Sequence, residues 1–380
     1  MRICQMLAKI FIRMRRAYKF RIYPNKEQAQ NLERSLDLCR FLYNAAIQER
    51  RGAWKLNRVS ISYFDQTAQI KDIRANDPDY LTVQSRVLHQ TLRQVDKAFK
   101  AFFRRCKAGE KAGFPRFKSK AFFNSFFYNT TGFKFIDGKL RLAHIGILKI
   151  KQHRDIEGTI KEVTVKRDGS KWFAIVSCAD VPAKPRPATN QTVGIDVGIE
   201  NFATLSDGTQ IDNWKYYASS AKQLRIAQRR VARRKKGSNR RHKAVAILRT
   251  IHRKIFNQRH DFQHKLSTHL IANYDLIVVE NLNIKGMSKG ILSKQILDVS
   301  WSSFFQKLTY KAENAGKQLV KVKPHFTSQD CSQCGNRVKK ELSVRVHHCS
   351  NCGLSLHRDH NAAINILAAG LAVQDLTSAT

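Results

Sequence analysis

Acidic residues are scarce in this chain. Its 380 residues hold 29 Asp and Glu against 69 Lys and Arg, a formal charge of +40. So large an excess of one sign raises self-repulsion in a compact state, and an enzyme acting on a small neutral metabolite has no use for it. A polyanion compensates it: nucleic acid or an anionic membrane surface. Long apolar runs are also missing. None approaches the roughly 20 residues that span a bilayer. The first residues are interrupted by Arg2, Lys9 and Arg13, which excludes the unbroken core of a signal peptide. Proline is rare, and three of its seven copies (Pro182, Pro185, Pro187) crowd into one stretch. Disulfide patterning is lacking as well: Cys4, Cys39, Cys106 and Cys178 are scattered, and the other four cysteines fall in two close pairs, which is metal arithmetic in a reducing compartment. Hydrophobic residues at 42% and aromatics at 9% exclude a disordered basic tail.

Along the chain, Ala17 to Tyr23 reads as a strand stopped by Pro24. With Met14 just before it, residues 1–13 read as a non-native leader. From Glu27, Ala29, Leu32, Leu36, Cys39, Leu42, Tyr43 and Ala46 recur at helical spacing. A second helix is predicted over about Gln84 to Arg105, apolar at Val87, Leu88, Leu92, Val95 and Phe99. Eleven of the 22 phenylalanines then lie between Phe99 and Phe135, interleaved with Lys and Arg. Strands are predicted over Lys139 to Leu142 and Ile145 to Ile150, with a hairpin of Ile160 to Arg167 and Trp172 to Cys178. The proline cluster marks a linker over residues 181–190, and an α/β pattern follows it. That pattern comprises strands at Thr192 to Asp196, Phe202 to Leu205, Leu276 to Val279 and Gln318 to Val322. Its helices flank Gly237-Ser238-Asn239 and run from Trp301 to Asn314.

Three acids sit at structural edges. Asp196 and Glu280 each end an apolar strand, and Asp359 opens a helix read as Asn361 to Leu367. Taken singly, each is an ordinary strand-end or cap carboxylate. Converging, they would repel unless they shared cations. Mg²⁺ suits oxygen ligands that bridge to phosphates, and two such ions can activate water and stabilise a leaving oxygen. The paired cysteines are Cys331/Cys334 and Cys349/Cys352, each pair followed by glycine, and their spacing matches one structural Zn²⁺ ribbon. The adjoining His347 and His348 read as surface or nucleic-acid contacts. Residues 213–260 contain no Asp or Glu. Arg225, Arg229, Arg230, Arg233, Arg234, Lys235 and Lys236 there, with Arg116 and Lys118 in the phenylalanine-rich stretch, are candidates for phosphate binding.

As a set these residues resemble the TnpB family, transposon-encoded RNA-guided DNA endonucleases. The resemblance is carried by Tyr18-Lys19-Phe20-Arg21-Ile22-Tyr23-Pro24, Gly113-Phe114-Pro115-Arg116-Phe117, Gly194-Ile195-Asp196-Val197-Gly198 and Val279-Glu280-Asn281-Leu282. Further on come Thr327-Ser328-Gln329-Asp330-Cys331-Ser332-Gln333-Cys334-Gly335 and Arg358-Asp359-x-Asn361-Ala362-Ala363. It implies a RuvC-like nuclease core of RNase H topology over 191–323 and 357–370, with Asp196, Glu280 and Asp359 as Mg²⁺ ligands. It also implies a zinc ribbon over 324–356, a wedge β-barrel from 14–24 and 112–180, a helical recognition domain over 25–111, and a tail over 371–380. Its partners would be a guide RNA from the transposon end and double-stranded target DNA, in a monomeric, cytoplasmic, nucleoid-associated ribonucleoprotein with no membrane partner. Where the family usually has Asp-Arg-Asp, this chain has His357-Arg358-Asp359, and the retained second acid is the one assigned to metal.

A short DNA motif beside the target would be read by the first two domains. Arg86, His89 and Gln90 are candidates, since Arg and Gln can contact guanine and adenine bidentately. The competing functions are a nuclease-inactive RNA-guided repressor, a strand-transfer transposase and a non-catalytic zinc-ribbon RNA-binding protein. The order Asp, Glu, Asp differs from the Asp, Asp, Glu common in transposases, and the last reading leaves the strand-end acids unexplained.

Overall fold

The computed structural model describes residues 13–341 and 344–378. They form two compact units divided between Pro182 and Ala183. Of the leader read in the sequence, residues 1–12 lie outside the described residues, and Arg13 already opens the first strand.

In the N-terminal unit, β1 (Arg13–Tyr23) stops at Pro24 and α1 (Lys26–Asn57) begins at once. Asn25 caps it reciprocally: its side chain accepts the Gln28 N–H at 2.8 Å, and the Gln28 side chain accepts the Asn25 N–H at 3.1 Å. The apolar stripe Leu32, Leu36, Cys39, Leu42, Tyr43 and Ala46 is the buried face of α1. Two short helices, α2 (Tyr63–Ala68) and α3 (Ile70–Asn76), lead to α4 (Ser85–Lys107), which buries Val87, Leu88, Leu92, Val95 and Phe99. Six strands follow: β2 (Ser125–Asn129), β3 (Phe133–Ile136), β4 (Lys139–Leu142), β5 (Gly146–Lys151), β6 (Thr159–Asp168) and β7 (Lys171–Pro182). They join β1 in an antiparallel seven-stranded sheet of order β2-β6-β7-β1-β5-β4-β3. The phenylalanines split between two environments. Phe123 and Phe126 enter the core with Tyr128, whereas Phe114, Phe117 and Phe122 stay exposed.

The C-terminal unit is built on β8 (Thr192–Asp196), β9 (Asn201–Leu205), β10 (Gln210–Asp212), β11 (Leu276–Glu280) and β12 (Gln318–Val322). Their order is β10-β9-β8-β11-β12. The first three form an antiparallel meander, and β11 and β12 run parallel to β8. This is the RNase H arrangement. Between β10 and β11 lie α5 (Tyr216–Ser219), α6 (Ala221–Ala232) and α7 (Asn239–Asn273), the last capped by Ser238, which accepts the Arg241 N–H at 3.2 Å. Between β11 and β12 lie α8 (Ile284–Met287), α9 (Ser293–Val299) and α10 (Trp301–Ala315). A small hairpin, β13 (Val346–His348) and β14 (Ser355–His357), precedes α11 (Arg358–Ser378). The closing helix is thus far longer than Asn361 to Leu367, and residues 371–378 belong to it rather than to a tail. It keeps a buried face through Ile366 to Gly370, after which leucine and alanine carry it on. No helix among the described residues is long and apolar enough to cross a membrane.

Strand parity decides which residues face which helices. Val193, Ile195, Ile277 and Val279 pack with Leu270 of α7 and Phe304 and Leu308 of α10. The alternate residues, including Val278, pack with Ile366 of α11. Asp196 and Glu280 share the parity of Gly194 and Val278 and therefore belong to the α11 side. At the opposite strand ends Asp275 holds the sheet in register. It accepts the N–H groups of Thr189 and Asn190 and pairs with the buried Lys317, so it ties the starts of β8, β11 and β12 together. Lys317 holds its carboxyl well below the usual carboxylate range, with help from those N–H donors against burial.

Helix α11 sits on β8 at backbone contact. A Cβ at Gly194 would lie 2.1 Å from the Ala363 carbonyl oxygen. Gly194→Ala should therefore cost about 1–3 kcal/mol, as overpacking does, and lower the melting temperature by pushing α11 off the sheet. Calorimetry checks this; an unchanged melting temperature would contradict the contact.

Candidate active site

The parallel register of β8 and β11 pairs Val279 with Ile195, so their following residues, Glu280 and Asp196, end adjacent strands on the same side. Asp359 enters from the first turn of α11, where the helix dipole favours a carboxylate. Its Oδ2 lies 3.9 Å from where a Cβ on Gly198 would stand, beyond the end of β8. All three acids are half-buried. Asp196 is pushed well above its ordinary range by burial, then by Glu280 and Asp359, with Arg358 opposing them. Burial raises Glu280 too, against a hydrogen bond in which Thr327 Oγ1 donates to Glu280 Oε1 at 2.6 Å. The structure thus places Asp196 in the field of the other two sequence-predicted acids, Glu280 and Asp359. Carboxylate oxygens are the ligands a divalent cation such as Mg²⁺ takes, although among the described residues the group of ligand atoms within 4.8 Å of one another is the cysteine set and not the acids.

The residue that departs from the family pattern, His357, caps α11. Its Nδ1 accepts the Asp359 backbone N–H at 3.3 Å, a task an aspartate oxygen performs equally well. Arg358 donates to the Glu341 carbonyl at 2.9 Å and to Ser328 Oγ at 3.3 Å.

The four cysteines form one tetrad. Cys331 and Cys352 lie 3.6 Å apart at sulfur, as do Cys334 and Cys349, and all four Sγ atoms lie within 4.8 Å of one another. Gly335 and Gly353 take left-handed φ of 75° and 73°, so their N–H groups fold back to the Cys331 and Cys349 carbonyls at 2.9 Å. These are the two knuckles. The thiols polarise one another. Asn351 and a backbone N–H hold Cys334 down to about 6, while Cys352, despite an N–H from Leu354, is pushed up to about 12 by burial and its neighbouring thiols. Four soft donors in this geometry fit a structural zinc ion. Of the flanking histidines, His347 is fully buried beside Lys340 and is no surface contact, whereas His348 is exposed.

Three polar residues that sequence reasoning missed tie the tetrad to the acids. Asn361, fully buried, accepts the Ser332 N–H at 2.9 Å and donates to the Asp330 carbonyl at 2.8 Å. Asn365 donates to the carbonyls of Thr327 and Asp330 at 2.8 and 2.7 Å. Thr327 then reaches Glu280. Asn361 and Thr327 lay inside recognised motifs, but nothing local shows that their partners are distant carbonyls and a carboxylate.

The basic candidates are dispersed. Arg225, Arg229, Arg230, Arg233, Lys235 and Lys236 are exposed on α6 and the turn after it, with Arg234 half-buried. Arg116 is exposed, but the Lys118 ammonium lies 4.3 Å from the Tyr43 ring, and burial lowers its pKa. On α4, Arg86 is exposed and His89 and Gln90 are half-buried, one helical turn along. Burial, then Arg86, lowers His89.

An RNase H-type sheet with converging acids, and a cysteine ribbon inserted before its last helix, is the framework of a polynucleotide-processing protein. Comparison with known proteins narrows the class. Family models match residues 163–290 (probable transposase), 301–366 (Cas12f1-like, TNB domain) and 14–58 (helix-turn-helix domain). The last description does not fit the geometry, since residues 14–58 form β1 and the single long helix α1. A putative RNA-guided DNA endonuclease of Streptomyces pristinaespiralis is 38% identical over 94% of this chain and 90% of its own. The putative RNA-guided DNA endonuclease InsQ of Escherichia coli K12 is 31% identical over 94% and 92%. In fold, the protein chain of a Cas12f1–sgRNA–target DNA complex matches with a TM-score of 0.58 at 14% identity, covering 93% of this chain and 98% of that one. The chain belongs to the TnpB family of RNA-guided DNA endonucleases.

The tetrad should hold one zinc ion per chain. Cys331→Ser or Cys352→Ser should lose it and expose the segment around Phe326 to His357 to protease. Metal analysis showing no zinc in the wild-type protein would contradict the site.

Proposed function

We propose that the chain, loaded with a guide RNA from its transposon end, hydrolyses matching DNA at a centre formed by Asp196, Glu280 and Asp359. The observation that carries this reading is the placement of Asp196 and Glu280 at the ends of adjacent strands of an RNase H-type sheet, with Asp196 in the field of both Glu280 and Asp359. The relatives' description as RNA-guided DNA endonucleases supports it. The three acids would hold Mg²⁺, which supplies an activated water and charge stabilisation of the departing oxygen. Around that centre the protein's own groups have separable tasks. Asp196 and Glu280 are fixed by sheet register, and Asp359 by the cap of α11. Arg358 offers the positive charge that moderates Asp196. The exposed arginines and lysines of the α6 region grip phosphates without regard to sequence.

Sequence choice is then delegated to base pairing by the RNA, with the protein reading a short adjacent motif. We assign that reading to Arg86, His89 and Gln90, the wedge role to the N-terminal sheet, and the recognition role to the helices α1 to α4. The working form is a monomeric ribonucleoprotein. A nuclease-inactive repressor would leave these acids without an account.

The test uses the chain purified with its co-bound RNA, matching double-stranded DNA and Mg²⁺. Asp196→Ala, Glu280→Ala and Asp359→Ala should each lower cleavage by about 10²–10³-fold or more, the scale of losing one transition-state charge partner. RNA and DNA affinity should stay near wild type, because the phosphate contacts lie elsewhere. Near-normal cleavage by Asp359→Ala would remove it from the centre.

A further inference from the structure

The motif Thr327-Ser328-Gln329-Asp330 precedes the first zinc knuckle, yet none of its side chains is needed to bind a metal through sulfur. The structure gives it another use. Phe326 adopts φ of 57°, a left-handed conformation that costs a non-glycine residue energy and persists only where the surroundings enforce it. Here they do. The Phe326 carbonyl accepts the N–H groups of Gln329 and Asp330 at 2.8 and 2.9 Å, and the Arg337 guanidinium lies 3.6 Å from the Phe326 ring. Arg337 also grips the Asp330 carboxylate with two hydrogen bonds, at 2.7 and 3.2 Å. From this braced turn Thr327 points its hydroxyl at Glu280 Oε1, 2.6 Å away, while Asn365 of α11 holds the Thr327 carbonyl from behind.

We infer that Thr327 is a positioning residue for the nuclease centre: its hydroxyl, braced by the ribbon base and by α11, fixes the Glu280 carboxylate for metal binding. This rests on the reading of Glu280 as a metal-holding acid. One donated hydrogen bond, to Oε1, leaves the other Glu280 oxygen for a metal and restricts the orientation of a side chain that a strand end alone does not constrain. The same helix that delivers Asp359 therefore also sets Glu280, through Asn365 and Thr327. Partners that orient a metal ligand are typically worth about 10–100-fold in metal affinity or activity.

The test compares Thr327→Val, which removes the hydroxyl at constant shape, with Thr327→Ser, which keeps it. Two quantities are read: the Mn²⁺ affinity of the full-length chain by calorimetry, with Glu280→Ala as the blank, and single-turnover cleavage by the RNA-loaded chain against Mg²⁺ concentration. Zinc content is measured on every variant. Thr327→Val should keep its zinc, bind Mn²⁺ about 10–100-fold more weakly and need correspondingly more Mg²⁺, while Thr327→Ser stays within about twofold of wild type on both readouts, a margin small beside that loss. Wild-type affinity in Thr327→Val, equal loss in both variants, or loss of zinc together with activity would each overturn the inference. Cleavage by Glu280→Ala at the wild-type rate would instead sink the assignment of Glu280, so the two failures are distinguishable.

Discussion

The C-terminal unit turns on the parallel pairing of β8 with β11. It sets two carboxylates side by side at the end of a sheet whose flanking residues are buried aliphatics, and α11 adds a third. Burying charge is costly, and burying like charges together costs more. The surrounding structure answers that cost piece by piece. Asp275 and Lys317 hold the far strand ends in register, so the acids cannot drift apart by a slip of one residue. Thr327 hydrogen-bonds one acid, Arg358 lies in the field of another, and the cap on α11 orients the third.

The ribbon is joined to this centre by more than its place in the chain. The segment between β12 and α11 leaves the sheet next to Glu280 and returns through β14 directly into the helix that carries Asp359. Along the way Asn361 and Asn365 bind its backbone at Ser332, Asp330 and Thr327. Two members of the Asn-Ala-Ala run, Asn361 and Ala363, then have an account. The asparagine holds the ribbon base, and the second alanine lies where α11 meets the side-chain-free Gly194 on β8. Loss of zinc would thus loosen two of the three acids without touching either.

Much of this was legible in the sequence, and what was not has identifiable causes. Apolar strands ending in an acid, and paired cysteines followed by glycine, are local patterns with few other uses, so the sheet and the tetrad could be placed beforehand. Strands β2 and β3 were hidden because the aromatics of Ser125–Asn129 come as the adjacent run Phe126-Phe127-Tyr128, and Phe133-Lys134-Phe135 is too short a run to stand out. The short helices α2 and α3 lack a long apolar stripe, although Ser62 and Asp65 form a capping box at the first. The length of α11 escaped because its second half is held by Gly370 against Val278, a contact no sequence window contains. Lys118 looked like a phosphate ligand, but its ammonium lies over Tyr43. Thr327 and Asn365 are the clearest instance. Their roles exist only once distant residues meet: Thr327 and Glu280 are 47 positions apart, and Asn365 lies 38 from Thr327 and 35 from Asp330.

Under the proposed function RNA directs the acidic centre, and the +40 charge holds nucleic acid without choosing it. The most direct measurement rewrites only the guide segment of the co-bound RNA and offers the purified particle two DNAs in Mg²⁺. One matches the old guide and one the new, each beside the native adjacent motif. Cleavage should move wholly to the new DNA with no change in the protein. Cleavage that stayed on the original DNA would place recognition in the polypeptide and contradict guidance by RNA.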